Sequence, residues 1–280
     1  MTLSSPEPPA ESAAASSRAC CARAERVRVL TRDPAKTEPL ERRGAEAVLG
    51  DLRDSDVLER SVGGVDAVVH LAAAFRGVSE EETVAINHAA TIELADAALR
   101  AQVETFVLTS TNLVYGPGRG RPSREDDEPE PRAPYPASKF EVEEALRRLH
   151  RDHGLGLRIL RLAFVYGEDD PHLCESTRWT GDWPSHKRLH MVHHADVGQA
   201  LMRALRATGV DGETFNIADD APISAAELLE INGEPIPGDA SARPLDDPWE
   251  GIVDTRKARA ELGFRPIYPT LHSARDAGAL

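Results

Sequence analysis

The stretch FVLTSTNLVYG, residues 106–116, decides the fold of this chain. It begins as an almost unbroken apolar run and reaches a cluster of hydroxyl residues at 109–111. Strands that are buried on both faces need no polar alternation, so this run predicts a central strand of a parallel sheet. The run DAVVHLAA at 66–73 has the same character and predicts a second central strand.

Short apolar runs alternate with amphipathic stretches along the rest of the chain. This alternation predicts an α/β fold with a doubly wound parallel sheet covered by helices on both faces. The predicted core covers 27–168 and 195–220, and a small cap covers 169–194 and 221–280, where the pattern loosens. The predicted strands are 27–31, 47–51, 66–73, 105–111, 157–167 and 214–218, and the predicted helices are 54–62, 86–102, 138–154, 195–209 and 254–264.

Composition limits the partners that this protein can have. The 280 residues carry a formal charge of -14, which repels nucleic-acid phosphate and anionic membrane, so neither is an expected partner. The three cysteines have neither metal-ligand spacing nor disulfide density, and no run approaches membrane-spanning length. We therefore predict a cytoplasmic protein with a small-molecule substrate, and leave open whether it forms a homodimer.

The segment YPASK, residues 135–139, places a phenol and an ammonium one helical turn apart. Tyr135 and Lys139 would share a helix face, and a neighbouring positive charge lowers the pKa of a phenol. Thr111 ends the predicted central strand, where open α/β sheets bind ligands, and would supply a hydroxyl that orients the substrate. A tyrosine four residues before a lysine is common by chance, but the three residues together predict a proton-transfer site.

From about Val27 to Pro266 the chain resembles the extended short-chain dehydrogenase/reductases of the NAD-dependent epimerase/dehydratase type. The resemblance implies a Rossmann-like doubly wound parallel sheet with a small C-terminal substrate cap, and an NAD(P)-dependent oxidoreductase or epimerase. Each matching motif is weak alone, but their order and spacing are specific. The motifs are GDL at 50–52, DAVVHLAA at 66–73, INHAAT at 86–91, LTSTNLVYG at 108–116, YPASK at 135–139, LRLAFVYG at 160–167, MVHHADV at 191–197, FNIA at 215–218 and DTRKARAELGF at 254–264.

The resemblance also implies roles for the residues that match these motifs. Tyr135 would be the catalytic acid/base, steadied by Thr111, and Lys139 would hold the nicotinamide ribose. Hydride would pass between the nicotinamide and a substrate carbon while Tyr135 exchanges the proton on its oxygen. The expected cofactor contacts are Asp51 and Leu52 at the adenine, Leu71, Ala72 and Ala73 beneath the pyrophosphate and ribose, Arg32, Ala163, Tyr135 and Lys139.

The end of VRVLT, residues 27–31, bears on the choice of cofactor. NAD-specific relatives carry an acidic residue where this chain has Thr31, whereas the Arg32 that follows suits a 2′-phosphate. This pattern favours NADP. The alternative is that Arg32 is an exposed loop residue, which the neighbouring Asp33 leaves open, so NAD is the second candidate.

The residues around the predicted site limit the types of reaction that the protein could catalyse. Sugar-nucleotide 4,6-dehydratases of this family follow the catalytic threonine with an Asp-Glu pair, whereas Asn112 and Leu113 stand here, so dehydration is disfavoured. Epimerisation and carbonyl reduction both remain, on a sugar nucleotide or another small hydroxy or keto compound. Asn112 and His193 are the predicted substrate-binding residues. His190, His193 and His194 could be drawn as a metal site, but the family has a pocket-lining turn there, so no metal is predicted.

The opening residues lack the glycine-rich turn that the family carries after its first strand. In register, the three glycine positions fall on Glu7, Ala10 and Ala13, whose side chains would crowd or repel a pyrophosphate. The segment from Thr2 to Ser5 is too short and too polar for a central strand, so we predict that residues 1–26 are degenerate. A decayed gene or a misassigned start codon would explain this. Two hypotheses follow: an active enzyme, or a pseudoenzyme that keeps the fold as a binding or partner protein.

Overall fold

A parallel sheet of seven strands forms the centre of the computed structural model, which describes residues 2–5, 26–73 and 85–280. The strands are β1 (Thr2–Ser5), β2 (Arg28–Thr31), β3 (Glu46–Leu49), β4 (Ala67–His70), β5 (Thr105–Thr111), β6 (Leu157–Leu162), β7 (Phe164–Tyr166), β8 (Arg188–Leu189), β9 (Met191–His193), β10 (Thr214–Ile217) and β11 (Ile223–Ser224). Their order in the large sheet is β10-β6-β5-β4-β1-β2-β3, with all neighbours parallel. The doubly wound α/β fold predicted from the sequence is thereby confirmed.

Helices connect these strands. They are α1 (Pro34–Glu41), α2 (Ser55–Val62), α3 (Ala90–Arg100, preceded by the π-helical turn Ala85–Ala89), α4 (Pro134–His153), α5 (His172–Glu175), α6 (Thr177–Thr180), α7 (His194–Arg206), α8 (Ala225–Ile231), α9 (Arg256–Glu261) and α10 (Leu271–Asp276). The longest of them, α4, has Pro134 at its first position, where the missing N–H is harmless. It ends at Gly154, whose φ of 75° is left-handed, as the sequence predicts.

The first strand, β1, lies at the centre of the sheet between β2 and β4. Thr2 pairs with Arg28 on one side and with Val68 on the other. The prediction that these four residues are too short and too polar for a central strand is therefore wrong. The bonds between strands come from the main chain, so a polar strand completes them as well as an apolar one.

The predicted glycine-motif positions, Glu7, Ala10 and Ala13, lie outside the described residues. How far the degenerate segment extends also stays a prediction, as do the boundaries between core and cap. The paired strand β1 requires only that part of residues 1–26 belongs to the sheet.

Apolar side chains fill both sides of the large sheet. Val68 and Phe106 pack on one side with α2, α3 and α4. Val69 and Val107, their neighbours along the same strands, pack on the other side with α7. All seven residues of β5 are buried. Double-sided burial is the reason that these strands carry unbroken apolar runs in the sequence.

The cap is built from short elements. Strands β7 and β9 pair in parallel, and β8 and β11 pair antiparallel. A third apolar core joins them to α5, α8 and α10 through Tyr166, Leu173, Met191, Leu228 and Leu271. These pieces of two to seven residues are too short for a periodic pattern, so the sequence predicts only β7 among them, as the end of the predicted strand 157–167. Among the described residues, none of the helices combines the length and the apolar character that a membrane span requires.

Candidate active site

Thr111 lies at the carboxyl end of β5 and is buried. In the sheet it stands beside Leu162, the last residue of β6. Its Oγ1 accepts a hydrogen bond from the Leu113 backbone N–H at 3.3 Å and so caps the short 3₁₀ helix Asn112–Tyr115. No described residue accepts the hydroxyl proton of Thr111, which is therefore free to donate to a substrate oxygen.

Tyr135 and Lys139 lie on the first two turns of α4, four residues apart. This helix packs beside β5 and the 3₁₀ helix that follows it, so the pair shares one end of the sheet with Thr111. Tyr135 is half-buried, whereas Lys139 is only 2% exposed. Within the described part of the chain, the Lys139 ammonium donates no hydrogen bond. The structure thus brings together the elements that carry the three predicted catalytic residues.

Burial governs the protonation of both side chains. It raises the pKa of the Tyr135 phenol to about 12. It lowers the pKa of Lys139 to about 8, against the opposing effect of the Glu143 carboxylate. The prediction that the ammonium lowers the tyrosine pKa is wrong in this structure, because the loss of hydration on burial sets the direction of the shift. At neutral pH the phenol is protonated and Lys139 is mostly charged.

A buried ion pair lies one helical turn beyond Lys139. Arg161 of β6 donates to both carboxylate oxygens of Glu143, with 2.6 Å between Nη2 and Oε2. The same guanidinium lies over the ring of Tyr115, 4.7 Å from its centroid, and the Tyr115 hydroxyl donates to Asn216 Oδ1 at 2.7 Å. These four buried residues tie α4 to β6 and β10, and so fix the helix that carries the predicted catalytic residues Tyr135 and Lys139.

The sequence carries a signal for only part of this network, and that signal lies in α4. Glu143 continues the four-residue spacing of Tyr135 and Lys139, and a face that repeats over three turns indicates one buried side. Arg161 has no such signal, because its partner becomes visible only when β6 is placed beside α4.

His70 ends β4 and is fully buried near Lys139. The Thr91 hydroxyl donates to the Asn87 carbonyl, so at 2.8 Å the His70 Nε2–H donates to the Thr91 oxygen. Burial, and secondarily the charge of Lys139, lowers the pKa of His70 to about 3. His70 is therefore a neutral group beside the ammonium.

The predicted adenine end lies where β2 and β3 finish side by side. Asp51 accepts two hydrogen bonds from the Arg53 guanidinium, at 2.8 and 2.9 Å, and lies 3.7 Å from Arg32. The Arg53 hydrogen bonds hold the pKa of Asp51 at about 2. Leu52, which lies between Asp51 and Arg53 in the sequence, is buried. Sequence reasoning missed Arg53, which places a second guanidinium beside Arg32.

The other predicted cofactor residues follow the carboxyl ends of β4 and β6. Ala72 and Ala163 are buried, while Leu71 and Ala73 are half-buried. The Ala163 N–H donates to the carbonyl of Ile217 in β10, which fixes the turn between β6 and β7. All four positions lie at the edge of the sheet where parallel folds bind ligands, as the sequence predicts.

The two predicted substrate-binding residues have different surroundings. The Asn112 amide donates to the Gly251 carbonyl at 2.7 Å, so it links the 3₁₀ helix to the C-terminal part of the chain. His193 is 0% exposed; its Nδ1 accepts from the Ala195 N–H at 3.1 Å and its Nε2 donates to the Ala279 carbonyl at 2.9 Å. Because both ring nitrogens are engaged, His193 is a helix cap, and this geometry argues against the predicted substrate contact.

One group of side chains has donor atoms close enough to suit a metal ion. Ligand atoms of Glu168, His193 and His194 lie within 4.8 Å of one another. His194 Nε2 contacts a Glu168 oxygen at 2.5 Å. The backbone partners of His193 occupy both of its nitrogens, so only two side chains could serve as ligands, which is fewer than the three or four of a zinc site.

Comparison with known proteins identifies the family. The model of the NAD dependent epimerase/dehydratase family matches residues 14–181, and the chain belongs to this family. The chain is 28% identical over 269 residues to a UDP-glucose 4-epimerase of Corynebacterium glutamicum, covering 84% of this chain and 82% of the relative. The resemblance seen in the sequence is thereby confirmed.

Solved structures agree with the fold. A dTDP-glucose 4,6-dehydratase from Streptomyces venezuelae, solved with NAD and TYD bound, has a TM-score of 0.78 and 26% identity, covering 99% of this chain and 97% of the other. A short-chain dehydrogenase/reductase superfamily protein from Agrobacterium tumefaciens, solved with NAD, has a TM-score of 0.80 and 23% identity, with 99% and 95% coverage.

Proposed function

We propose that this protein is an NAD(P)-dependent oxidoreductase or epimerase that acts on a sugar nucleotide or another small hydroxy or keto compound. Tyr135 is the acid/base, Thr111 orients the substrate oxygen, and Lys139 holds the cofactor ribose. The observation that carries this proposal is the ammonium of Lys139, which is 2% exposed and has no hydrogen-bond acceptor among the described residues. A buried charge without an acceptor is expensive, so a ligand hydroxyl is its natural partner.

A nicotinamide cofactor fits the residues that the structure describes. Lys139 would donate to its ribose hydroxyls, Asp51 and Leu52 would border its adenine, and Ala72 and Ala163 leave room for its rings. The dehydratase from Streptomyces venezuelae and the Agrobacterium protein were both solved with NAD, which supports this choice. The bound cofactor would supply or accept the hydride.

The protein's own residues manage the proton. In carbonyl reduction, Thr111 donates a hydrogen bond to the substrate oxygen, and the neutral phenol of Tyr135 gives that oxygen its proton as the hydride arrives at carbon. In the reverse direction Tyr135 must take up the hydroxyl proton, which its raised pKa favours once the phenolate has formed. Dehydration would need an additional acid or base after Thr111. The residue there, Asn112, carries an amide that donates to the Gly251 carbonyl, so it does not supply that group.

For the cofactor we favour NADP over NAD. Arg53 already holds the Asp51 carboxylate with two hydrogen bonds, whereas the exposed Arg32 lies 3.7 Å from it, so the Arg32 guanidinium is available for a 2′-phosphate. NAD is the second candidate, since the Asp51 carboxylate is also able to accept from a ribose hydroxyl. The cytoplasmic location and the homodimer also stay predictions.

A second candidate function is a pseudoenzyme that keeps the fold but does not bind the cofactor. The sequence observation that favours it is the absence of glycine at residues 7, 10 and 13, where a backbone would approach the pyrophosphate. On this hypothesis the protein serves as a binding or partner protein.

One experiment tests both candidates. Titration with NADPH and with NADH, followed by cofactor fluorescence, is expected to give saturable binding with NADPH the tighter ligand. Tyr135→Phe should keep that binding and lower kcat by about 10²- to 10⁴-fold, the usual contribution of a general acid, for a substrate found by NADPH consumption. Tyr268→Phe, which alters a phenol in the cap, is the matched control and should keep kcat.

The two candidates predict opposite results in this titration. Absence of binding for either nucleotide at about 1 mM would support the pseudoenzyme. Binding with an unchanged kcat in Tyr135→Phe would contradict the assigned acid/base.

A further inference from the structure

A cavity of about 420 Å³ lies outside the proposed catalytic groups, beyond the carboxyl end of β10, where Asp219 and Asp220 line it. Its walls are the loop that follows the 3₁₀ helix and the segment that leads into α9. Asn216 of β10 holds both in place, since its Nδ2 donates to the carbonyls of Ser123 and Asp254 at 3.2 Å. A volume of this size is within the range of ordinary small-ligand sites, about 300–1,000 Å³.

This cavity, here named the arginine pocket, is unusually rich in guanidinium groups for an acidic chain. Its lining includes Arg121, Arg124, Arg188, Arg256 and Arg259, together with the ring of Trp249. Thr111, Tyr135 and Lys139 do not line it. The arginine pocket is therefore separate from the proposed site of proton transfer.

The carboxylates around the arginine pocket do not balance its positive charge. Asp127 pairs with Arg121, Asp220 pairs with Arg259, and Asp254 is shared by Arg124 and Arg256. Five guanidinium groups thus share three paired carboxylates, with Asp126 as a further negative charge near Arg121, which leaves the arginines in excess.

Arg188 is the guanidinium with the weakest protein partners. It lies 5.1 Å above the centroid of the Trp249 ring, and its contact with the Pro248 carbonyl is long, at 3.4 Å. Within the described part of the chain it forms no ion pair with a carboxylate. Stacking on the ring holds the guanidinium in one orientation, which prepares its N–H groups for an anionic ligand.

The buried groups of the wall do not remove this surplus. Burial raises the pKa of Asp219 to about 8, so this carboxyl group is mostly neutral at pH 7. His190 is also neutral, because burial lowers its pKa to about 4. Its Nδ1 accepts from the Val253 N–H and its Nε2 donates to the Asp219 carbonyl.

From this geometry we infer that the arginine pocket is a second binding site, for a dianionic ligand of the phosphate type, separate from the catalytic crevice. Guanidinium groups bind phosphate oxygens with paired, charge-assisted hydrogen bonds, and Arg188, stacked on Trp249, has no carboxylate partner among the described residues. The ligand would join the loop that carries Arg121 and Arg124 to the segment that carries Trp249 and Arg256.

Isothermal titration calorimetry with inorganic pyrophosphate tests this inference on the full chain. We expect one saturable site with a dissociation constant below about 1 mM. Arg188→Gln should weaken binding by about 10-fold or more, because it removes charge-assisted hydrogen bonds. Arg275→Gln, which alters an exposed arginine of α10 paired with Asp276, is the matched control and should bind like the parent chain.

Competition identifies the site that is occupied. Saturating NADPH and saturating UDP-glucose should each leave pyrophosphate binding unchanged. Displacement by either would place the anion in the cofactor or substrate crevice and overturn the inference. Equal binding by the parent chain and a folded Arg188→Gln variant, checked by circular dichroism, would overturn it as well.

Discussion

The two halves of the large sheet are built differently. The half formed by β4, β5, β6 and β10 contains β5, with all seven residues buried, and the 20-residue helix α4. The half formed by β1, β2 and β3 has strands of four residues, exposed ends on β3, and the eight-residue helix α1 with Pro39 inside it. We name them the catalytic half and the amino-terminal half.

Their charged groups differ in the same way. In the catalytic half, Glu143 and Arg161 form an ion pair that is almost completely buried. In the amino-terminal half, Arg32 and Arg53 reach Asp51 with side chains that are 43% and 55% exposed. Exposed pairs contribute little to stability, whereas breaking a buried pair is costly. The comparison indicates that the fold fixes the helix that carries Tyr135 and Lys139, whereas the exposed ion pairs at Asp51 contribute little to stability.

The largest expected effect comes from breaking the buried pair. Glu143→Gln leaves the Arg161 charge uncompensated, and should lower the free energy of unfolding by about 3–5 kcal/mol in urea denaturation. Glu144→Gln is the matched control on the same helix, because Glu144 is 44% exposed and pairs with Arg147 at 3.4 Å. Its change should stay within about 0.5 kcal/mol. Equal losses in the two variants would contradict the comparison.

Replacing Lys139 should change cofactor affinity and the free energy of unfolding in opposite directions. Lys139→Met should weaken NADPH binding by about 10- to 100-fold in a fluorescence titration, through loss of a charged donor. The free energy of unfolding of Lys139→Met should increase. The pKa of Lys139 is lowered to about 8, so folding is penalised while the group is charged, and the penalty fades as pH rises from about 8 to 10.5.

The stability of Lys139→Met is therefore best compared at two pH values. At pH 7 the variant should unfold at a higher urea concentration than the parent, and the difference should shrink near pH 10. Lys257→Met, which alters a half-buried lysine paired with Glu213, is the control and should keep NADPH affinity. A Lys139→Met variant that binds NADPH like the parent would contradict the proposed ribose contact.

His70, the buried histidine of the catalytic half, should make the free energy of unfolding of the parent depend on pH. The pKa of His70 is lowered to about 3, so its contribution is complete above about pH 6.5 and is lost as pH falls towards 3. Relative to His70→Gln, the parent should lose about 1.4 kcal/mol for each pH unit below 6.5. Urea titrations at pH 7 and pH 5 measure this.

A matched variant checks that this effect comes from burial. His186→Gln, which alters an exposed histidine, is the matched control. If the difference in free energy of unfolding between the parent and His70→Gln is the same at pH 7 and pH 5, His70 is accessible to protons in the folded state.

The smallest expected effect lies in the amino-terminal half. Arg32→Ser should weaken NADPH binding by about 10-fold and leave NADH binding unchanged, because only the 2′-phosphate needs the guanidinium. Arg42→Ser, which alters an exposed arginine of the same half paired with Glu38, should change neither. Equal loss of NADPH and NADH affinity in Arg32→Ser would contradict the proposed preference for NADP.

The sequence predicts the catalytic half better than the amino-terminal half, for physical reasons. Buried strands such as β5 must be apolar throughout, and Gly154 must follow α4 because its backbone is left-handed. Each of these constraints fixes the residue type at a single position of the sequence. The central position of β1 is not visible in this way, because the pairing uses main-chain groups that every residue type carries.

The candidate site shows the same limit. The spacing of Tyr135 and Lys139 is local, so it is visible along one helix. The contact of Arg161 with Tyr115, and the backbone partners of His193, depend on elements that are distant in the chain. The pKa of Tyr135 also depends on the surrounding packing, which is why the neighbouring lysine gave the wrong direction.

The position of β1 has a consequence for how the molecule holds together. In the described sheet, this four-residue strand is the sole hydrogen-bonded bridge between the β2–β3 pair and the remaining four strands. If its pairing opens, the sheet separates into a two-stranded ribbon and a four-stranded slab. An isolated two-stranded ribbon is marginal in water, so the ribbon should melt first while the slab keeps its order. The pairing of β1, in the middle of the sheet, is therefore the part of the sheet that we expect to open first.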